Sequence, residues 1–277
     1  MISVIIPSYN RASTIERSVR SVINQTYKDI EIIIVDDCST DNTKEVVENI
    51  QDDRIRYIKN EKNVGACVSR NIGINYAQGE YIAFQDSDDS WRENKLEHQL
   101  KIMNKYNADV CFCKFEKHGY SDIDGEVAPS GIEEGIIEYD NLIRYSIVGT
   151  PTILAKAEVC KKIMFDAELR RLQDYDWVIR TGKKFVFCHD SYILADAYLQ
   201  NDSITKSVDY YDAISALIKK YEKTIDLYVQ AISVLINKQA NIRTYNGERV
   251  HTMYRQAYKL TGQKEYLIKS WLAFFGL

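Results

Sequence analysis

The sequence predicts an α/β fold whose first hundred or so residues alternate between strands and helices, followed by a helical C-terminal region. Two observations carry this prediction. Short β-branched runs alternate with segments in which apolar residues recur every three or four positions. From Tyr210 onward, a single apolar stripe at helical spacing replaces that alternation. The strand–helix–strand order favours parallel pairing through right-handed crossovers.

The first strand–helix–strand unit follows from three local signals. Ile2–Ile6 is a β-branched run that Pro7 should end. Ser13–Glu16 has the form of a capping box, so we expect a helix that begins at Ser13. Glu31–Val35 is almost continuously apolar, as expected of a strand buried on both faces.

The same alternation continues to about residue 116. The expected elements are a helix from Thr43 to Ile50 capped by Asp41, a strand from Arg54 to Lys59, a helix from Ala66 to Ala77, a strand from Tyr81 to Gln85, a helix from about Lys95 to Tyr106 and a strand from Asp109 to Glu116. Gly119–Gly135, with its Gly, Pro, Ser and Asp, is expected to be a loop. A further helix is expected over Ala157–Lys162.

Residues 207–277 differ from the rest of the chain in charge and pattern. They carry ten Lys and Arg against six Asp and Glu, a net +4, whereas residues 1–206 carry 26 against 34, a net −8. We therefore place a domain boundary between residues 206 and 207. The apolar stripe predicts packed helices and consists of Ile214, Leu217, Ile218, Tyr221, Ile225, Tyr228, Ile232 and Leu235.

The extreme C-terminal segment, residues 266–277, allows a second interpretation. It carries Trp271, Leu272, Phe274 and Phe275, with two lysines nearby. Aromatic and basic side chains together are typical of helices that lie at a membrane surface. Peripheral membrane contact or self-association through the C-terminal helices is therefore an alternative to simple packing.

Composition excludes several classes of protein. Of 277 residues, 45% are hydrophobic and 27% are charged, unlike disordered, collagen-like or disulfide-rich chains. The six cysteines are scattered, so core thiols are expected instead of zinc ligands, even for the neighbouring Cys111 and Cys113. A net charge of −4 without a basic cluster predicts no nucleic-acid partner. No apolar run approaches the roughly 18 residues of a membrane helix, which favours a cytoplasmic location.

Polar residues follow three of the predicted strands. The first strand leads into Ser8–Asn10, the second into Asp36–Asp37 and the fourth into Asp86–Asp89. Ligands of open parallel sheets bind at the carboxyl ends of the strands. Because adjacent carboxylates repel one another, a divalent cation is the usual compensation. The acidic residues therefore predict a metal or hydrogen-bonding site, although each segment alone is also consistent with a turn or a helix cap.

Six motifs follow one another in a fixed order. They are Val4–Asn10, Ser21–Thr26, Glu31–Asp37 with Ser39–Asp41, Asn63–Gly65 with Ser69–Asn71, Gly79–Phe84 and Asp86–Asp89. In this order they resemble glycosyltransferase family 2, strongly over about residues 2–100 and moderately over 145–205. The resemblance implies a GT-A fold, a Rossmann-like mixed sheet flanked by helices, over residues 1–206.

The same resemblance implies roles for individual residues. Residues 1–100 would bind a nucleotide sugar, and residues 101–206 would build the acceptor side. Pro7 and Tyr9 match positions that line the base pocket. Asp37 matches the carboxylate that accepts from the uracil ring N–H.

Arg70 matches a basic residue near the nucleotide. Asp88 and Asp89 match the acidic motif that holds Mn²⁺ or Mg²⁺ on the diphosphate, so Asp88 counts among the nucleotide-site residues as well. Asp174 matches the general base, although Gln173 precedes it where the family usually has a glutamate. A plain helix N-cap is the alternative role for Asp174. Tyr198–Ser203 lacks the Arg and His that the family often carries there.

The activity implied by the resemblance is the inverting transfer of a sugar from a UDP-sugar to a hydroxyl of a glycan or lipid-linked acceptor. The implied setting is bacterial cell-surface polysaccharide synthesis, in the cytoplasm or peripherally at the inner face of the cytoplasmic membrane. A diphosphate leaving group gains negative charge, which a metal ion neutralises without moving a proton. Mg²⁺ and Mn²⁺ suit substrate phosphates together with one or two carboxylates.

Three other classes of protein share parts of the pattern. A signalling receiver also carries an acidic pair, but after its first strand, whereas Asp36–Asp37 follows the second. A nucleotidyltransferase typically opens with a glycine-rich loop, and Pro7–Asn10 contains no glycine. An inactive nucleotide-sugar-binding or scaffold protein of the same fold is the remaining alternative. The presence of Asp37, Asp174 and Asp88–Asp89 argues against it.

Overall fold

The fold is known from a computed structural model that describes residues 1–119, 124–145, 148–199 and 210–221, together with residues 251, 254, 255, 258, 264 and 267–269. The chain separates into two units. The first comprises Met1–Leu142 and Ile147–Val208, and the second comprises Ile143–Ser146 and Asp209–Leu277. The domain boundary drawn from the sequence between residues 206 and 207 stays a prediction about independent folding.

One mixed sheet organises the first unit. Its described strands are β1 (Ile2–Ser8), β2 (Ile30–Asp36), β3 (Ile55–Lys59), β4 (Tyr81–Phe84), β5 (Ser90–Trp91), β6 (Val110–His118), β7 (Val127–Ala128), β8 (Gly135–Ile137), β9 (Leu154–Lys156) and β10 (Phe187–Tyr198). Their order is β3-β2-β1-β4-β9-β6-β10-β5, while β7 pairs with β6 and β8 pairs with β10.

The described helices flank this sheet or belong to the second unit. They are α1 (Ile15–Ile23), α2 (Thr43–Glu48), α3 (Ala66–Tyr76), α4 (Lys95–Tyr106), α5 (Tyr139–Tyr145), α6 (Ala157–Lys162), α7 (Gln173–Gly182) and α8 (Tyr210–Tyr221). Within the described part of the chain, no helix has the length and apolar character needed to cross a bilayer.

The first four long strands of the sheet are parallel, as the strand–helix alternation predicts. β1 pairs with β2 and with β4, and β2 pairs with β3, all in parallel. Ser8 lies opposite Asp36 in this register, and Ile5 lies opposite Phe84. The carboxyl ends of β1, β2 and β4 therefore meet at one edge of the sheet, where the predicted site residues follow.

Two apolar clusters, one on each face of the sheet, explain why β1 and β2 are almost continuously apolar. Ile5 of β1 belongs with Phe84 and Trp177 to the cluster on one face. Its neighbours in the chain, Val4 and Ile6, pack in the cluster on the other face, which α1 and α4 cover. Because side chains alternate between faces, a strand covered on both sides is mostly apolar. The buried Ser3 of β1 is an exception, and its hydroxyl donates to Glu31 of β2.

The other half of the sheet is mixed. β9 lies between β4 and β6 and is antiparallel to both, whereas β6 and β10 are parallel. Two-residue and three-residue strands such as β5, β7 and β8 complete it. The loop expected over Gly119–Gly135 is therefore wrong at β7, which adds to the edge of β6.

Helix α1 begins later than the sequence predicts. Its first residue is Ile15, two residues after Ser13, and Thr14 at the N-cap makes no side-chain capping bond. The N–H groups of Thr14 and Ile15 instead both donate to the carbonyl of Arg11, which closes a turn before the helix. The predicted capping box therefore does not form. At the start of α2 the N-cap position belongs to Asn42 and not to the predicted Asp41, although Asp41 accepts the N–H of Thr43 at 3.0 Å.

The second unit is described mainly through α8. Leu217 and Tyr221 of the predicted apolar stripe are buried in this helix, together with Ala213. The remainder of the stripe, from Ile225 to Leu235, and the aromatic residues 271–277 lie outside the described residues. In the first unit, Cys111 and Cys113 are fully buried free thiols, which confirms their predicted place in the core.

Candidate active site

The loops after β1 and β2 are held together by direct hydrogen bonds. Asp37 donates its N–H to the carbonyl of Ser8 at 2.7 Å. Asn10 donates its N–H to Ser39 Oγ, and Thr40 donates its N–H to Asn10 Oδ1, both at 2.8 Å. These bonds fix the backbone on both sides of Tyr9, whose side chain is 45% exposed. An exposed aromatic ring on a fixed backbone is suited to stacking on a planar base.

Pro7 lies at a different depth from Tyr9. It is buried within β1, which continues one residue beyond the predicted stop at Pro7 and ends at Ser8. Because β1 is central in the sheet, the buried Pro7 fixes the start of the loop that carries Tyr9. Asp37, one residue beyond β2, is only 3% exposed.

The carboxylate of Asp37 is held by the segment that leads into α3. Its Oδ1 accepts the N–H of Val64 at 2.8 Å and Nδ2 of Asn60 at 2.9 Å, and its Oδ2 accepts the N–H of Gly65 at 2.7 Å. A carboxylate has about four acceptor positions, so these three bonds leave capacity for one more donor. The orientation of Asp37 is therefore fixed before any ligand binds.

The adjacent Asp36 has a structural role. It is fully buried and accepts from the N–H of Ser39 at 2.9 Å and from the hydroxyl of Tyr57. Burial, followed by the hydrogen bond to Asp36, raises the pKa of Tyr57 well above its ordinary value. The Nζ of Lys59 lies 3.8 Å from Asp36 Oδ2 and offsets part of its charge. The two neighbouring aspartates thus differ: Asp36 joins β2 to β3, and Asp37 faces the site.

Arg70 of α3 reaches the acidic segment that follows β4. Its Nη2 donates to Asp86 Oδ1 at 2.7 Å, and the whole side chain is nearly buried. Its Nε and Nη1 are also buried and have no hydrogen-bond partner among the described residues. A buried guanidinium with unsatisfied donors is costly unless a ligand or water accepts from it. These donors therefore indicate a polar, acceptor-rich ligand beside Asp86.

Asp89 is buried among other carboxylates. It is 7% exposed, and its Oδ1 accepts the N–H of Tyr198 at 3.0 Å. Burial, followed by the charges of Asp86 and Asp88, raises the pKa of Asp89 well above its usual range. The guanidinium of Arg11 is 3.9 Å from Asp88 Oδ2. A divalent cation would relieve the repulsion between these carboxylates, so the residues fit the predicted Mn²⁺ or Mg²⁺ site.

A second acidic group lies near the ends of β6 and β10. Within the described residues, Glu116, His118 and Asp196 offer ligand atoms that lie within 4.8 Å of one another. Arg92 already pairs with Glu116 at 2.7 Å and with Asp196 at 3.0 Å, and His118 Nε2 is 2.9 Å from Asp196 Oδ1. In this arrangement the guanidinium of Arg92 neutralises both carboxylates, so the group forms an ion-pair network.

Asp174 lies in the first turn of α7. The helix begins at Gln173, and the N-cap position belongs to Leu172, which has a positive φ of 63°. Asp174 is therefore not the N-cap residue itself. Its carboxylate is partly exposed and its Oδ1 accepts the N–H of Tyr175 at 2.8 Å, so Asp174 also has a local structural role at the start of α7.

Helix α7 is fixed against α3 through Phe165. Asn71 of α3 donates to the carbonyl of Phe165 and accepts its N–H, both at 2.9 Å. The ring of Phe165 stacks on Trp177 with centroids 5.9 Å apart, and Trp177 Nε1 donates to the carbonyl of Ile163 at 2.7 Å. Arg70 also lies over Phe165, at 5.6 Å from the ring centre. Helix α3 thus connects the segments that carry Asp37, Arg70 and Asp174.

Several residues of this site were missed from the sequence alone. Asp86 belongs to the acidic motif, so a search for the partner of Arg70 could have found it. Asn60, which holds Asp37, follows β3 with no motif of its own. Tyr198 acts through its backbone N–H, which any residue except proline would supply, so no side-chain signal marks it.

The comparison with known families decides the family of this chain. Residues 3–177 match the family model described as glycosyl transferase family 2. The chain belongs to glycosyltransferase family 2. This family 2 chain is 36% identical over 215 residues to the putative teichuronic acid biosynthesis glycosyltransferase TuaG of Bacillus subtilis, covering 75% of this chain and 82% of TuaG.

A second relative of this family 2 protein is the UDP-Glc:alpha-D-GlcNAc-diphosphoundecaprenol beta-1,3-glucosyltransferase WfgD of Escherichia coli. The two are 39% identical over 155 residues. The match covers 56% of this chain and 59% of WfgD, which is less than two thirds of that protein.

Solved structures confirm the predicted GT-A fold of the family 2 chain. S. aureus TarS in complex with UDP-GlcNAc superposes with a TM-score of 0.77 at 17% identity, over 99% of this chain and 89% of that one. The mannosyltransferase PcManGT from Pyrobaculum calidifontis, in complex with GDP-Man and Mn²⁺, superposes with a TM-score of 0.60 at 16% identity, over 99% and 74% of the two chains. At these identities the likeness concerns the fold.

Proposed function

We propose that this glycosyltransferase transfers a sugar from a UDP-sugar to a hydroxyl of a lipid-linked glycan, with inversion, in bacterial cell-surface polysaccharide synthesis. The observation that carries the proposal is the buried guanidinium of Arg70, whose Nε and Nη1 have no partner among the described residues. It lies beside Asp86, at the edge of the sheet where Asp37 and Asp89 also lie. A donor that combines a uracil base, hydroxyls and a diphosphate offers acceptors to such an arginine.

Recognition of the base is assigned to Tyr9 and Asp37. Uracil presents a flat face for stacking and one ring N–H, and the remaining acceptor capacity of Asp37 suits that N–H. Guanine also offers N–H donors, but it is a larger, two-ring base. Thymine carries the same ring N–H as uracil and differs by one methyl group, so the preference for uridine over both is part of the proposal and is tested by comparing the three nucleotides.

Asp88 and Asp89 would hold the metal ion, Mn²⁺ or Mg²⁺. When bound, the ion supplies positive charge to the departing diphosphate. The protein holds Asp89 through Tyr198 and holds the neighbouring Asp86 through Arg70, so the carboxylates keep their places in spite of mutual repulsion. The relative WfgD, which acts on a diphosphoundecaprenol substrate, supports a lipid-linked acceptor for this chain.

Asp174 is proposed as the general base. A sugar hydroxyl is too weakly acidic to attack the anomeric carbon unaided at neutral pH, so a carboxylate must accept its proton as the new bond forms. Because one displacement at the anomeric carbon reverses its configuration, the product has the opposite anomeric form to the donor. Gln173, a neutral neighbour, does not add a second negative charge beside Asp174.

The experiment measures UDP release and product formation with purified full-length protein. UDP-Glc and UDP-GlcNAc are supplied with Mn²⁺ and a synthetic GlcNAc-diphosphate lipid, and the product anomer is identified by NMR. We expect UDP release that depends on the acceptor and is lost in Asp89→Asn. Tight binding of UDP-sugar without release of UDP, with several acceptors, would instead support the inactive scaffold.

A further inference from the structure

Helix α1 and the residues just after it make hydrogen bonds to the backbone of the acidic segment between β4 and α4 at several points. Ser18 Oγ donates to the carbonyl of Asp86 at 2.9 Å, and Ser21 Oγ accepts the N–H of Trp91 at 3.0 Å. Gln25, two residues beyond the end of α1, donates its Nε2 to the carbonyl of Arg92 at 2.8 Å. Ser18 and Ser21 are three residues apart and share one face of the helix, so this polar face of α1 binds the backbone of the segment at successive points.

Arg17 extends this face to the two carboxylates proposed to hold the metal. Its Nη2 donates to the carbonyl oxygen of Asp88, which belongs to the peptide that joins Asp88 to Asp89. Its guanidinium also lies over the ring of Tyr198, with Cζ 3.7 Å from the ring centre. The same ring is stacked with His118, with ring centroids 4.9 Å apart.

Tyr198 contacts both Arg17 and Asp89. Its ring receives Arg17, and its backbone N–H donates to Asp89 Oδ1 at 3.0 Å. One arginine thus connects the carbonyl of Asp88 with the strand end that holds the carboxylate of Asp89. Neither contact uses a carboxylate oxygen, so Arg17 does not occupy a position that a metal ion would need.

We propose that Arg17 is a positioning residue that holds Asp88 and Asp89 in the arrangement that binds the metal ion. This inference rests on the proposed function. Without the clamp, the peptide between the two aspartates keeps only the bond from its N–H, at Asp89, to the carbonyl of Asp86 at 3.2 Å, and mutual repulsion moves the carboxylates apart. Metal binding must then order them again, which weakens the affinity. Groups that orient metal ligands typically change affinity by about 10- to 100-fold, and an exposed arginine belongs at the lower end.

The test measures Mn²⁺ binding directly, by electron paramagnetic resonance of free Mn²⁺ in the presence of saturating UDP. Arg17→Met keeps the length of the side chain and removes its charge and donors, and Arg17→Lys restores a charge over the ring. The matched control is Arg20→Met on the same helix, because Arg20 is exposed and pairs with Glu16. Tyr198→Leu removes the ring from the other side of the contact and keeps the backbone N–H.

We expect Arg17→Met and Tyr198→Leu each to weaken Mn²⁺ binding by about tenfold, and the double variant to lose little more. Arg17→Lys should recover most of the loss, and Arg20→Met should bind as the wild type does. The affinity for UDP without metal and the melting temperature should stay unchanged, which a merely structural loss would not allow.

Two outcomes overturn the inference and differ in their meaning. Wild-type affinity for Mn²⁺ in Arg17→Met, with binding lost in Asp89→Asn, would show that Arg17 positions nothing and would leave the proposed function intact. Failure of the wild type itself to bind Mn²⁺ with UDP would remove the metal site, and with it both proposals.

Discussion

The backbone N–H of Gly65 donates to Asp37 Oδ2 at 2.7 Å, which joins the carboxylate after β2 to the first turn of α3. Gly65 has a φ of +89°, a conformation that side chains disfavour. The carboxylate proposed to recognise the base and the helix that carries Arg70 are therefore parts of one structure.

Removal of this carboxylate should weaken the binding of uridine nucleotides. Asp37→Ala deletes the acceptor for the uracil N–H, so we expect the affinity for UDP to fall by about 10-fold or more, since hydrogen bonds to charged groups contribute about 1.5–3 kcal/mol. Calorimetry with UDP, GDP and dTDP measures both affinity and preference. The wild type should prefer UDP. Tighter binding of GDP than UDP, or unchanged UDP affinity in Asp37→Ala, would contradict the role assigned to Asp37.

Asp89 should show opposite effects on stability with and without metal. Because burial and nearby carboxylates raise the pKa of Asp89, its charged form is unfavourable at pH 7 in the absence of a cation. Asp89→Asn keeps the acceptor for Tyr198 and removes that charge, so in EDTA the variant should melt a few degrees higher than the wild type.

With Mn²⁺ and UDP the order should reverse. The bound ion stabilises the wild type in proportion to its affinity, whereas Asp89→Asn gains little. Catalytic activity should be lost in the variant and, for the wild type, in EDTA. Full wild-type activity in EDTA would refute the metal requirement.

Lys95 provides a pH-dependent test of the core. It is fully buried, with Nζ 2.6 Å from Gln99 Oε1 and 4.0 Å from the ring centre of Trp91. Burial lowers the pKa of Lys95 from 10.5 to about 8. The unfolded chain therefore binds more protons between these two pKa values, so the contribution of Lys95 to stability improves as the pH rises from about 8 to 10.5.

Lys95→Met removes this dependence. Relative to the wild type, the variant should be more stable at pH 7, and its advantage should shrink by about 2 kcal/mol between pH 7 and pH 9.5. Urea unfolding at both pH values measures the difference. An advantage that is constant or grows with pH would contradict the lowered pKa.

Much of the first half of the fold was predictable because its signals are local. β1 and β2 are buried on both faces, so runs rich in β-branched residues mark them, and the predicted bounds of α4 agree with the structure. The order of the acidic strand ends, combined with parallel pairing, predicts that Asp37 and Asp88–Asp89 lie at one edge of the sheet, as the register of β1 with β2 and β4 confirms.

The second half was less predictable for physical reasons. β5, β7, β8 and β9 are two or three residues long, too short for an alternating pattern to appear. The contact between Tyr198 and Asp89 is made by the backbone, and that between Arg17 and Asp88 also ends on a backbone carbonyl. Such contacts depend on which chain segments meet in the fold, and the sequence contains no local signal for them.

The domain boundary can be tested with a shortened protein. A chain that ends at residue 206 should fold and bind UDP with nearly unchanged affinity, because the base, the diphosphate and the metal are assigned to residues of the first unit. It should lose activity on a lipid-linked acceptor if residues 207–277 engage the acceptor, the membrane or a second copy. Calorimetry measures UDP affinity, UDP release with the lipid-linked acceptor measures activity, and a vesicle sedimentation assay measures membrane contact. Failure of the shortened chain to fold would move the boundary.

The role of Asp174 predicts a loss confined to the chemical step. Asp174→Asn preserves the size of the side chain at the start of α7 and removes its ability to accept the proton of the acceptor hydroxyl. We expect kcat to fall by about 10²–10⁴-fold, the usual contribution of a general base, while affinities for UDP-sugar and Mn²⁺ stay within about twofold.

Gln173→Glu is the matched control, because it keeps the base and introduces the glutamate that the family usually carries beside it. Its added charge should raise the pKa of Asp174 and shift the acid limb of the pH profile upward, with kcat at high pH nearly unchanged. Near-normal kcat in Asp174→Asn, or a product that retains the anomeric configuration of the donor, would show that the base or the mechanism is wrongly assigned.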